Sequence, residues 1–148
     1  MSRFIQLLTE NEKLVCELYE LLGEKFPEYK VFWDSIAQDE KKHVEFLSEI
    51  SDKDSSVNEK VLHYKTVQDL IDHIKTTIEK VRKSKDLTMK QAVLEALNIE
   101  NSIVELKFFE PFKSEESNRE TRNSIELIEK DTKGHYQKLK EMKAFLSK

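Results

Sequence analysis

The chain has 148 residues, 36% of them charged, and a net charge of −4 with a pI near 5.7. That length makes one domain with a real core, and that charge leaves no basic surface for nucleic acid or an anionic membrane. Two glycines and two prolines provide few turns and favour a few long helices over many short strands.

The single cysteine, Cys16, excludes an internal disulfide and any cysteine-ligated zinc or iron–sulfur site within the chain. Ser2-Arg3-Phe4 leads straight into an amphipathic pattern rather than a signal peptide, and no apolar run nears the ~20 residues that span a bilayer. The expected compartment is the reducing cytoplasm.

The first predicted helix runs from about Ser2 to Lys25. Its apolar residues Ile5, Leu8, Val15, Tyr19, Leu22 and Phe26 are spaced by threes, fours and one gap of seven, and Glu12 fills that gap in register. Glu10, Glu17, Glu20 and Glu24 fall on the wet side. Pro27 suits the first turn of a second helix reaching Ser51, whose stripe is Tyr29, Trp33, Ile36, Leu47 and Ile50. The two positions missing from that stripe are Glu40 and His43. Asp52 to Lys60 reads as a polar surface connection.

Thr66-x-x-Asp69 reads as an N-cap with an acidic first turn, opening a helix to Lys85 through Val67, Leu70, Ile71, Ile74 and Ile78. The cations from Lys80 to Lys90 are broken by Asp86 and form a solvated face. Thr88-x-x-Gln91 is a capping box starting a further helix, on which Glu100 stands between Ala96, Leu97, Ile103 and Val104. Pro111 ends or kinks that helix, and Ser114 to Ser117 is the expected turn. The last helix shows Ile125, Ile128, Leu139, Met142 and Leu146, interrupted by Thr132 and His135.

The interruptions share a depth. Glu12 and the Glu40/His43 pair are centred on Pro27, while Glu100 and the Thr132/His135 pair are centred on about Ser117. All lie ~20 Å from their turn at 1.5 Å per residue. Taken singly, each is a satisfied buried polar group or a register device. In one layer, three carboxylates and two imidazoles stay unpaired or repel unless protons or cations neutralise them. A divalent metal does so directly, and Glu/His ligation suits iron, manganese or zinc. Glu12, Glu40, His43, Glu100 and His135 are therefore the candidate ligands, with Glu17, Glu95 and Glu105 expected to face outward.

The segment Asp39-Glu-Lys-Lys-His-Val-Glu-Phe-Leu47 recurs in outline as Asp131-Thr-Lys-Gly-His-Tyr-Gln-Lys-Leu139. Asp39 and Asp131 each precede a pair, where they either accept the free ring N–H of the histidine on the opposite helix or are ordinary surface aspartates. Gly134 costs a helix interior ~1 kcal/mol and either eases close helix approach beside His135 or is merely tolerated. Tyr19 and Trp33, one heptad from Glu12 and Glu40, read as core filling. His63 and His73 read as surface residues, and Phe108, Phe109 and Phe112 as core or contact residues.

Glu12 with Tyr19, the run Phe32-Trp-Asp-Ser-Ile-Ala-Gln-Asp-Glu-Lys-Lys-His43, the run Ala96-Leu-Asn-Ile-Glu-Asn-Ser102 and Asp131 to His135 together resemble the ferritin-like superfamily. The likeness is to its rubrerythrin-like branch without a rubredoxin domain, and covers nearly the whole chain apart from Asp52 to Lys85. It implies an all-α, antiparallel four-helix bundle spanning residues 1–148, with a long crossover between helices 2 and 4 that carries an extra helix. It further implies Glu12 and His43 on one iron, Glu100 and His135 on another, and Glu40 bridging them. A second bridging Glu would fall at Thr132, which is a poor metal ligand. The implied activity is that of a non-haem iron oxidoreductase of peroxidase or ferroxidase type reacting with peroxide or dioxygen. With no Cys-x-x-Cys module in the chain, it would need an external electron donor. The resemblance leaves a homodimer open. A non-enzymatic bundle with a degenerate mononuclear or empty site, serving stability or assembly, is the competing expectation.

Overall fold

Among the described residues of a computed structural model (3–53, 64–105, 109–112 and 119–148), the chain forms five α-helices and no strand. These are α1 (Arg3–Lys25), α2 (Lys30–Lys53), α3 (Tyr64–Lys83), α4 (Met89–Glu105) and α5 (Arg119–Leu146). Single 3₁₀ turns occupy Pro27–Tyr29 and Glu110–Phe112.

Local chemistry explains most boundaries. Pro27 sits at the start of the first 3₁₀ turn, which the Tyr29 N–H closes on the Phe26 carbonyl at 2.8 Å, so α2 begins at Lys30 rather than at the proline. The capping box forms as read: the Gln91 N–H donates to the Thr88 hydroxyl at 3.1 Å, and the Thr88 N–H to the Gln91 side chain at 2.9 Å. The start signal at Thr66 does not hold, because Thr66 and Asp69 lie inside α3. The Lys25 ammonium, ending α1, donates to the carbonyls of Val81 (2.8 Å) and Ser84 and so caps the C-terminal end of α3. The connection read at Asp52 to Lys60 begins inside α2, and the rest of it, like the turn at Ser114 to Ser117, falls outside the described residues.

Cross-helix pairs fix the directions. Glu20–Lys41 and Glu12–His43 run α2 antiparallel to α1, whereas Glu10–Lys75 and Glu17–Arg82 run α3 parallel to α1. Lys80–Glu95 folds α4 back against α3, and Asp39–His135 with Asp131–His43 set α5 antiparallel to α2. α4 is thus parallel to α2, and α3 is the helix that carries the chain back between them.

The core is one cluster running through all five helices, with Trp33, Tyr19, Leu18 and Leu47 wholly buried. α1 packs chiefly against α2 and α3 and is buried on two sides. Its buried set therefore widens beyond the expected stripe to Phe4, Leu7 and Leu18. Phe112 stacks on Phe4 with centroids 6.2 Å apart and Phe109 is buried nearby, as core residues should be; Phe108 and His63 lie outside the described residues. His73 is exposed. Gly134 faces open space, with nothing within 4 Å of an added Cβ, so it eases no helix contact. No described helix is long and apolar enough to cross a membrane.

Candidate metal centre

Glu12, Glu40, His43, Glu100 and His135 converge from α1, α2, α4 and α5, each no more than 1% exposed. The helical spacing that put them on apolar stripes brings them to one layer. Glu17 and Glu105 face solvent, and Glu95 is half-covered by its ion pair with Lys80.

Glu40 is the hub. One of its oxygens lies 3.3 Å from His43 Nδ1 and the other 3.1 Å from His135 Nδ1. Glu12 approaches His43 Nδ1 at 3.7 Å, and Glu100 approaches His135 Nδ1 at 3.6 Å. Two buried groups result, Glu12/Glu40/His43 and Glu40/Glu100/His135, each offering one ligand atom per residue within 4.8 Å of the others. Glu40 belongs to both. The two imidazoles lie nearly parallel, with ring centroids 6.1 Å apart.

The surrounding residues orient these groups. His43 Nε2 meets Asp131 at 3.0 Å and His135 Nε2 meets Asp39 at 2.8 Å, each across the α2–α5 interface. A carboxylate accepts, so each Nε2 carries a proton, and Nδ1 is the nitrogen turned toward the centre. Of the two readings of Asp39 and Asp131, ring-N–H acceptor is the one that holds. The Tyr19 hydroxyl donates to Glu100 Oε1 at 2.6 Å, while its ring packs on Trp33 with centroids 5.6 Å apart. Core filling thus describes Trp33 but only half of Tyr19. Its place on the same stripe as Glu12 marked the ring as inward but not the hydroxyl's partner.

One polar atom of every candidate ligand is buried with no hydrogen-bond partner: Glu12 Oε1, Glu40 Oε2, His43 Nδ1, Glu100 Oε2 and His135 Nδ1. The short approaches to Nδ1 are not aligned as hydrogen bonds. Orphaned buried polar atoms are costly, and one on each of five residues gathered in two groups that share Glu40 fits a cation. The donor set of carboxylate oxygens and imidazole nitrogens suits a divalent transition metal.

Without a cation, protons must balance the charge. Burial, reinforced by the charge of Glu40, pushes the Glu12 carboxyl up to about 8. Burial acts against charging the histidines, but contacts with carboxylates overcome it. Glu12 and Glu40 hold His43 at about 12, and Glu100 and Glu40 hold His135 at about 11. Burial raises Glu40 too, yet its close contacts with Glu12 and both histidines outweigh it and leave its carboxyl below the ordinary value. Burial and the neighbouring carboxylates also push the Tyr19 phenol well up, which keeps it a hydrogen-bond donor.

Thr132 lies on the inward stripe of α5 with Ile128, His135 and Leu139, and is 3% exposed. Its hydroxyl donates to the Ile128 carbonyl at 2.8 Å, turned along its own helix. Comparison with models of protein families, with curated proteins and with solved structures yields no match.

Proposed function

We propose that this is a ferritin-like, rubrerythrin-type protein whose bundle core binds up to two iron-class metal ions. Glu12 and His43 would hold one, Glu100 and His135 the other, and Glu40 both. The observation that carries the reading is a pair of buried Glu/His groups that share Glu40, each member having a buried polar atom with no hydrogen-bond partner. Bound iron supplies one-electron chemistry toward peroxide or dioxygen. The chain's own residues do the rest. Asp39 and Asp131 hold the imidazoles with Nδ1 inward, Tyr19 holds one oxygen of Glu100, and the packed stripes of α1 and α2 keep the layer dry. An external reductant would be the redox partner.

Metal stoichiometry tests this. Protein loaded anaerobically with iron(II) and freed of excess should hold about two ions per chain. A single ion would favour a degenerate mononuclear site serving stability or assembly. No uptake of iron, manganese or zinc, with an unchanged melting temperature, overturns the proposal.

A further inference from the structure

Between α4 and α5 the bundle surface opens into a cavity of about 230 Å³ lined by Ile103, Val104, Phe109, Glu110, Glu129, Thr132 and Lys133. Of these, Ile103, Phe109 and Thr132 are buried. Ile103 is one turn beyond Glu100, and Thr132 one turn before His135, on the inward faces of the same two helices. The cavity thus ends one layer from the Glu40/Glu100/His135 group, with the small Thr132 side chain at the junction.

We propose that this cavity admits a small monocarboxylate or similar oxyanion that ligates the metal centre, with Thr132 as the gate. The inference rests on the metal-binding reading above. Each group supplies three side chains, Glu40 being shared, which leaves coordination positions for an outside ligand. Three carboxylates facing two divalent ions leave one positive charge in a buried layer, which a single anion neutralises. Asp39 and Asp131 stand further out, with side chains 28% and 36% exposed, where water screens them. The volume is below that of sites for drug-sized molecules and points to a ligand of a few heavy atoms. Ile103, Val104 and Phe109 suit its apolar part, while Lys133 offsets the charge of one of the two lining acids, Glu110 and Glu129.

Cobalt(II) and acetate make the test, read by visible absorption of the cobalt-loaded full chain. Acetate should change the spectrum saturably. Thr132→Leu, which enlarges a buried lining side chain, should weaken acetate by about tenfold or more while leaving the acetate-free spectrum as it was. Val104→Phe, at a half-buried wall position, should do the same and carries the test if Thr132→Leu does not fold. Cobalt binding with a spectrum indifferent to acetate overturns the inference and spares the metal reading. So does an acetate affinity unchanged in both variants. Failure of cobalt to bind at all overturns both.

Discussion

Metal binding to this centre should expel a countable number of protons. In the metal-free protein at pH 7, His43 at about 12, His135 at about 11 and Glu12 at about 8 all carry protons. A metal needs neutral imidazole and ionised carboxylate, so loading both positions should release roughly three protons at pH 7. At pH 9 Glu12 has already lost its own, and roughly two remain to be released. The two positions differ as well. Between pH 6 and 7 the Glu12/Glu40/His43 position should gain about a hundredfold in affinity, two protons being displaced, and the Glu40/Glu100/His135 position about tenfold.

The metal-free fold has the opposite dependence. All three values are raised on folding, so the folded state binds more protons than the unfolded chain. Glu12 contributes stability below about 4.5 that is lost as pH rises to about 8, and the histidines contribute stability below about 6.5 that is lost as pH rises through 11 to 12. Calorimetric titration with manganese(II), in buffers of differing ionisation enthalpy across pH 6 to 9, measures both the proton count and the affinity slope. Fewer than about one proton released at pH 7, with affinity flat in pH, would refute the charge balance argued for this layer.

Thr132→Glu adds a carboxylate beside a cavity with room for it, and should raise metal occupancy and increase peroxide-dependent oxidation of bound iron(II). In a bundle without metal the same change buries an unpaired carboxylate and should cost several kcal/mol, so lost stability with no gain of metal would favour the non-enzymatic alternative. Tyr19→Phe leaves Glu100 Oε1 without its donor and should destabilise the metal-free protein by about 1–3 kcal/mol in urea unfolding, with a smaller deficit once metal is bound. Asp39→Asn and Asp131→Asn should each weaken metal binding about 10- to 100-fold in chelator competition; unchanged affinity would make both aspartates incidental. Gly134→Ala, at an exposed helix position with open space around it, should raise stability by about 1 kcal/mol in the same unfolding assay, and a loss would reveal a contact at that face.

The sequence by itself determined which face of each helix turns inward, because a 3.6-residue period allows one apolar stripe, and a carboxylate or imidazole in register with that stripe must be buried with it. The burial of Glu12, Glu40, His43, Glu100 and His135 was legible on that ground. The capping box at Thr88 was legible because both its partners are local. What only tertiary structure decided depended on the company each helix keeps. α3 lies along α1 and buries a second side of it, which no pattern within α1 announced as a separate contact. Pairing of Asp39 with His135 and of Asp131 with His43 required α2 and α5 to be antiparallel neighbours in register, which turned two ambiguous aspartates into orienting groups. Tyr19 could be placed on the inward stripe from its spacing alone. That its hydroxyl reaches Glu100, 81 residues away, followed only when α4 was packed into the same layer. The cavity at Thr132 is likewise lined by residues of α4, α5 and the turn at Phe109 and Glu110, and no local pattern encodes the space left between separate elements.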